Sequence, residues 1–277
     1  MRRRVVVIVL VGVLALALGV FVIWLAQGRV DQSRIYCQNH LRVLAQHSEQ
    51  AGLELPPGAL AGPWLPAQAP NVPAGTVWHP TLPPDQRLSW VVPLLPLIDQ
   101  KRYETATLAP QLDLAAAWDA PKNASVGRAR LALVECPGNP PPESSGFAFT
   151  QYIGNGGVGP DAATGSLSPR SGCFRYDRAT PYTAITDGLS TSVLFAETSN
   201  ELGPWIRGGP ATVRSYLPKS SKVALGTDGQ FGGNHPLGAN FGFADGSVRF
   251  LTDRTTPAVI EGLFTSAGGG TDPLPGE

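Results

Sequence analysis

The stretch "NHPLGANFGFADGSVRFL", residues 234–251, decides how this chain folds. Asp245-Gly246 lies between two apolar runs, and Asp-Gly in that setting is the strongest short hairpin signal, because both residues of a two-residue loop must accept positive φ. That loop pairs Phe243 with Val248 and Phe241 with Phe250. Alternation along each strand then puts Phe241, Phe243, Val248 and Phe250 on one face and Gly242, Ala244, Ser247 and Arg249 on the other. One face is expected to be core and the other to meet solvent or a neighbour. His235 has no role in this scheme and needs a separate explanation.

Working outward from the hairpin, "GFAFTQYIG" (146–154) and "TSVLFAET" (191–198) read as short strands, the second introduced by an Asp187-Gly188 turn. "ARLALVEC" (129–136) also reads as a strand, ended by Pro137. "GNGGVG" (154–159) satisfies the spacing of a dinucleotide fingerprint, but "PDAATGSLSP" follows where a helix is required, so it reads as a glycine-rich turn. Leu53 to Pro96 holds eleven prolines and reads as an extended covering loop. Near its end, "SWVVPLLPLIDQKRYE" (89–104) predicts a short helix started by Ser89 and interrupted at Pro93 and Pro96.

The N-terminus carries the clearest physical signal. Val5 to Ala26 is a run of 22 residues with no charge and no proline. About 20 apolar residues at the helical rise cover a bilayer's hydrocarbon core, whereas a cleaved signal peptide has an apolar region of only about 7–15. Residues 1–28 are therefore expected to be an uncleaved, single-pass anchor in the cytoplasmic (inner) membrane. Arg2 to Arg4 favour a cytoplasmic N-terminus, and Trp24 sits where an interfacial aromatic belongs. Residues 29–277 then form a periplasmic, extracytoplasmic domain. Beyond the anchor, Val30, Cys37, Leu41, Leu44 and Ser48 recur at helical spacing, with Gln, Arg and His opposite them and Gly52 as the stop. The two segments read as one helix of about 47 residues. The expected fold class is α+β: a long N-terminal helix, membrane-spanning and then amphipathic, packed on an antiparallel sheet with Pro/Gly-rich loops.

Composition excludes several function classes. The formal net charge is zero, so no basic face recommends a nucleic-acid partner. Cys37, Cys136 and Cys173 show no CxxC or Cys/His spacing of a zinc motif. No G-x-S-x-G elbow is present and no nucleophile–base pair is visible, so the chain is not expected to be an enzyme. His40 and His47 lie seven residues apart, two turns on one helical face, and read as an exposed polar stripe. His79 precedes Pro80 in the proline-rich loop and reads as structural. For His235 the expected role is hydrogen bonding to backbone groups of the glycine-rich loop around it. The alternative is a cation or acid–base site built from Asp228, His235 and Asp245.

These residues also carry a resemblance. His235, the nine residues "PLGANFGFA" and Asp245-Gly246 match the C-terminal His-(nine residues)-Asp-Gly motif of planctomycete-type pseudopilin-like proteins of unknown function. "CQNHLRVLAQHSEQ" is similar to that family's first-helix Cys-x-Asn-Asn-Leu block, and "SWVVPLLPLIDQ" to its Ser-Trp block. "LVECPGNP" resembles its Cys-Pro segment, "YIGNGGVGPDA" its Tyr-x-Gly block and "AITDGLSTSVLFAET" its Thr-Asp-Gly run ending in Glu. The resemblance implies a pilin-like fold and a structural or assembly role in a type II secretion-like or pilus-type system of the bacterial cell envelope. Its implied partners are the membrane and other pseudopilin-like or envelope proteins. Because Cys37 and Cys136 occupy the two blocks that carry cysteine in the family, it also implies a Cys37–Cys136 disulfide, while Cys173 matches no block. Related pseudopilins bind calcium in a C-terminal loop, which points to calcium at the Asp228, His235 and Asp245 set. Imidazole is nevertheless a poor calcium ligand. The N-terminal prepilin cleavage motif is not matched: "RRRVVVIVL" lacks both its glycine and its glutamate. An anchored monomer is therefore expected over a filament subunit. The alternatives are a surface module binding envelope glycans through Trp64, Trp78 and Trp205, or a metal-dependent enzyme.

Overall fold

The computed structural model describes residues 2–50, 54–55, 82–97, 107–141, 146–164 and 167–268. It is an α+β fold. Helix α1 (Arg2–Gln50) is followed by β1 (Glu54–Leu55), α2 (Pro121–Gly127), β2 (Phe149–Thr150), β3 (Tyr152–Val158) and β4 (Thr180–Pro181). Then come β5 (Val193–Glu197), β6 (Gly203–Pro204), β7 (Val213–Tyr216), β8 (Gly238–Phe243), β9 (Val248–Thr252) and α3 (Pro257–Phe264). The main sheet has the order β7-β3-β5-β8-β9, and two-stranded pairs β1-β4 and β2-β6 flank it. Its pairings are antiparallel except for β3 with β7, which is parallel. The sheet is thus mixed at one edge rather than uniformly antiparallel as the sequence suggested.

The hairpin forms, one residue out of the expected register. Gly242 pairs with Val248 and Phe241 with Arg249. Phe243 N donates to Ser247 O, and the loop is the three residues Ala244, Asp245 and Gly246. Gly246 has a φ of 83° and its N–H donates to Phe243 O, while Asp245 Oδ1 accepts from Ser247 N. This is the three-residue alternative to the two-residue loop, with glycine at the left-handed position. A slip of one residue turns one strand's side chains over relative to the other's. Phe241 and Phe243 therefore share a face with Arg249, whose guanidinium lies 4.9 Å from the centre of the Phe243 ring. Val248 joins the opposite face.

Both faces of the sheet are covered, which the sequence reading did not anticipate. On one side, Cys37, Leu41, Leu44 and Ser48 of α1 are fully buried at the predicted spacing, beside Trp90, Phe174 and Phe195. Those three rings pack with centroids 4.6 to 5.6 Å apart. Leu41 lies over Gly242, 3.6 Å from where a Cβ would stand, so a side chain larger than a methyl would push the helix off β8. On the other side, Phe231, Phe241 and Phe243 pack under Ile260, Leu263 and Phe264 of α3. Each such burial stabilises the fold by roughly 1.5–3 kcal/mol.

Three other expectations are corrected. "GNGGVG" is mostly strand: β3 runs through it, between β5 and β7, with an irregularity between Asn155 and Gly157. Its glycines serve close approach. A Cβ at Gly154 would stand 2.8 Å from the Phe174 ring, and one at Gly157 would collide with the Arg170 carbonyl. "ARLALVEC" forms a single 3-10 turn, Ala132–Val134, because Gln151 and Thr150 take the Val134 carbonyl that a strand would pair elsewhere. "SWVVPLLP" forms a 3-10 turn at Val92–Leu94, with Ser89 Oγ accepting from Val91 N and donating to Trp205 O. Most of the proline-rich loop, with His79, Trp64 and Trp78, lies outside the described residues, as does the side chain of Val30.

Within α1, the described side chains of the apolar stretch are those of residues 10 to 25; all are exposed, and a Cβ at Gly12 or Gly19 would meet nothing within 4 Å. Among these described residues no helix is long and apolar enough to cross a membrane.

Candidate metal centre

Four side chains converge where α1 meets the end of β5. Cys37 comes from the buried stripe of α1 and Cys136 from the segment after the Ala132–Val134 turn. Glu197 is the last residue of β5, and His235 precedes β8. Their ligand atoms all lie within 4.8 Å of one another. Cys37, Glu197 and Cys136 are fully buried and His235 is 4% exposed. Cys37 Sγ is 2.8 Å from Cys136 Sγ, Cys136 Sγ is 3.7 Å from His235 Nε2, and His235 Nε2 is 3.1 Å from Glu197 Oε1. That last approach lacks hydrogen-bond geometry, and Glu197 Oε1 is a buried oxygen without a hydrogen-bond partner.

The sequence builds this site from local rules. Glu197 ends "VLFAE", a strand buried along its whole length, so its carboxylate has to find partners inside the protein. One oxygen does: Oε2 accepts from Asn240 N at 3.0 Å and Asn240 Nδ2 at 2.9 Å. Asn240 Oδ1 in turn accepts from Gln38 Nε2 on α1. Gln151 Oε1 accepts from Cys136 N at 2.7 Å, and Gln151 Nε2 donates to Asn139 O and Asn234 Oδ1. Asn234 Nδ2 donates to Thr198 O. The loops carrying Cys136 and His235 are therefore fixed to each other and to β5. His235 itself is presented by a tight turn through Pro236 and Leu237, closed by a His235–Gly238 bridge. Leu237 adopts a φ of 67° while 72% exposed. A leucine there costs about 1–2 kcal/mol, and such strain collects where a chain must hold a functional group in place.

The protonation states are coupled. Cys37 donates to Cys136, which holds the Cys37 thiol far above its ordinary range, with burial and the Glu197 charge adding to the effect. The same bond lowers Cys136 to about 6 against its burial, helped by His235. Burial pulls His235 down, but its contacts with Cys136 and Glu197 outweigh this and raise it to about 9. The Cys136–His235 contact thus favours negative charge on Cys136 and positive charge on His235. Tyr152, which is fully buried beside the site, is held protonated by that burial and by the surrounding negative charge. A thiolate, an imidazole and a carboxylate in sequence have the makings of a nucleophile, but all of them are closed off from solvent.

The structure brings Cys37 and Cys136 together, as free thiols. It places Asp228 and Asp245 elsewhere, both exposed, and neither joins His235 among the described residues. Asp245 sits at the far end of β8, roughly 20 Å away by the rise of a six-residue strand. The expected bonding of His235 to loop backbone is replaced by contacts to side chains, and Asn234 takes over the loop-holding role. His40 is buried rather than part of an exposed stripe: its Nδ1 is 3.2 Å from Glu135 O and its ring stands edge-on to Tyr152. Trp205 is also fully buried, with Nε1 donating to Ala129 O, so it cannot serve as a glycan platform. Glu197 was missed, although a lone carboxylate at the end of a wholly apolar strand was a legible signal.

Each side chain of the centre comes from a different one of the blocks that carried the resemblance. The first-helix block gives Cys37, the Cys-Pro segment Cys136, the run ending in Glu gives Glu197, and the C-terminal motif His235. No curated protein and no solved structure matches the chain. One family profile does, over residues 34–224 and 215–258, which together take in well over half of the sequence and all four side chains. The chain therefore belongs to the family described as protein of unknown function (DUF1559).

Proposed function

We propose that the chain is a non-enzymatic, membrane-anchored, pseudopilin-like envelope protein. The N-terminal half of α1 is the anchor in the cytoplasmic membrane and the sheet domain stands in the periplasm. Its role is that of a structural or assembly component of a secretion- or pilus-type system. The observation that carries this reading is the division of α1. Residues 37–48 bury a stripe against the sheet, while Leu14, Leu16 and Trp24 are 76%, 71% and 68% exposed on a stretch with no charged residue. An uncovered apolar surface of that extent is unfavourable in water and marks a contact with lipid or protein. The apolar sequence from Val5 to Ala26 has the length of a bilayer crossing. The closed character of the buried centre supports a non-enzymatic role. The absence of the glutamate that pilin-like helices use to pair subunits supports an anchored monomer.

Fractionation of cells producing the full chain tests this. The expected result is a protein that stays with the membrane through alkaline carbonate extraction, keeps Met1 on N-terminal sequencing and is digested by protease added to spheroplasts. Release into the soluble fraction, or protection from external protease in intact spheroplasts, would overturn the proposal.

A further inference from the structure

We propose that Cys37, Cys136, Glu197 and His235 bind one zinc ion, forming a structural centre that fastens α1 to the sheet. Convergence supports this wherever the protein resides: four ligand atoms from segments far apart in sequence meet within 4.8 Å, fully enclosed. A second support is Glu197 Oε1, a buried carboxylate oxygen turned toward the other three groups with no hydrogen bond of its own. Its sister oxygen is doubly bonded by Asn240, so the carboxylate is held in place with one oxygen reserved for the centre.

The donor set selects the ion. Two sulfurs exclude calcium and magnesium, which take oxygen ligands, and a closed four-ligand set of sulfur, nitrogen and oxygen suits tetrahedral zinc. Zinc bonds of about 2.3 Å to sulfur and 2.0–2.2 Å to nitrogen and oxygen imply ligand–ligand edges of roughly 3.6 Å for S···N and 3.4 Å for N···O. The observed edges are 3.7 Å and 3.1 Å. The sulfurs, at 2.8 Å, must part by about 1 Å to reach their tetrahedral edge of roughly 3.8 Å. Binding is a proton exchange with no change of oxidation state. Zn²⁺ enters, any protons on the coordinating sulfur, nitrogen and oxygen atoms leave to solvent, and the four groups then present two thiolates, a neutral imidazole and a carboxylate. A Cys37–Cys136 disulfide, the competing outcome, uses two of the four groups and leaves Glu197 Oε1 facing His235 at 3.1 Å without a hydrogen bond.

The mechanical consequence follows from the placement. Cys37 is the one ligand on α1, while the Gln151–Asn139–Asn234 network holds the Cys136 and His235 loops to each other and, through Thr198 O, to the end of β5 beside Glu197. Zinc would therefore join the helix to a prebuilt three-ligand cradle.

The test is metal analysis of the full chain, purified in detergent without chelator and loaded with zinc chloride. The expected result is close to one zinc per chain, retained in Cys173→Ser and with affinity reduced at least about tenfold in Cys37→Ser and in His235→Ala, since losing a ligand costs no less than losing an outer-shell partner. Because ligand variants can fail to fold, the wild-type protein is also loaded with cobalt chloride. Visible bands of tetrahedral cobalt together with a near-ultraviolet thiolate charge-transfer band support the centre. A folded wild-type chain with no zinc and no such bands overturns the proposal. So does a linked Cys37–Cys136 peptide as the main species on a non-reducing map, or zinc that survives in Cys37→Ser and Cys136→Ser alike.

Discussion

Replacing His235 with alanine isolates what the motif histidine does. The side chain is 2% exposed and stands 3.1 Å from Glu197 Oε1, itself fully buried. Removing it leaves a buried carboxylate oxygen with no counter-charge, and breaking one side of a buried charged pair costs about 3–5 kcal/mol. For a domain of this size each kcal/mol moves the melting temperature by about 2–4 °C. The expected loss is therefore roughly 6–20 °C by the same conversion. The assay is thermal unfolding of the full chain in detergent, with chelator present so that only the protein's own charges count, followed by tryptophan fluorescence. The double variant His235→Ala/Glu197→Gln supplies the control. The amide keeps an oxygen for Asn240 and carries no charge, so the double variant should recover about half or more of the loss, as coupled neighbours do. A His235→Ala protein within about 1 kcal/mol of wild type, or strictly additive effects in the double variant, would refute the reasoning.

Other predictions concern the backbone of the sheet and its turns. Gly246→Ala should cost about 1–2 kcal/mol, because φ is 83° and the nearest atom to a new Cβ is 3.8 Å away, leaving only backbone strain. Gly238→Ala should cost at least twice as much in the same denaturant titration, since its Cβ would collide with the Leu251 carbonyl across the hairpin. Leu237→Gly should stabilise by about 0.5–1 kcal/mol, the strain relieved less the added freedom of the unfolded chain, read as a higher urea midpoint. Asn155→Ala should destabilise by about 2–4 kcal/mol, because Val193 O, Phe264 O and Gly157 N all lose their partner; urea unfolding measures it.

The sequence carried much of the fold because its strongest patterns are local. The Cys37, Leu41, Leu44 and Ser48 stripe needs only helical spacing, and "TSVLFAET" needs only apolar continuity. What it could not carry depends on distant partners. "GNGGVG" looked like a turn because its glycines offer no strand propensity, yet Phe174 and the Arg170 carbonyl press so close that only glycine fits. The hairpin slipped by one residue because Asp245 closes its own turn onto Ser247, making a three-residue loop from the same Asp-Gly signal. The centre was half legible. Cys37, Cys136 and His235 each stand out in the sequence alone, but no spacing rule joins residues 37, 136, 197 and 235, and only the folded sheet brings them to one point. Asp245 drew attention through its closeness in sequence to His235, whereas the length of β8 separates them.

Whether the four distant motifs meet at one zinc ion is read by X-ray absorption at the zinc edge of the full chain. The expected shell is two sulfur atoms at about 2.3 Å and two nitrogen or oxygen atoms at about 2.0–2.2 Å. A shell of nitrogen and oxygen alone, with no sulfur scattering, would contradict it.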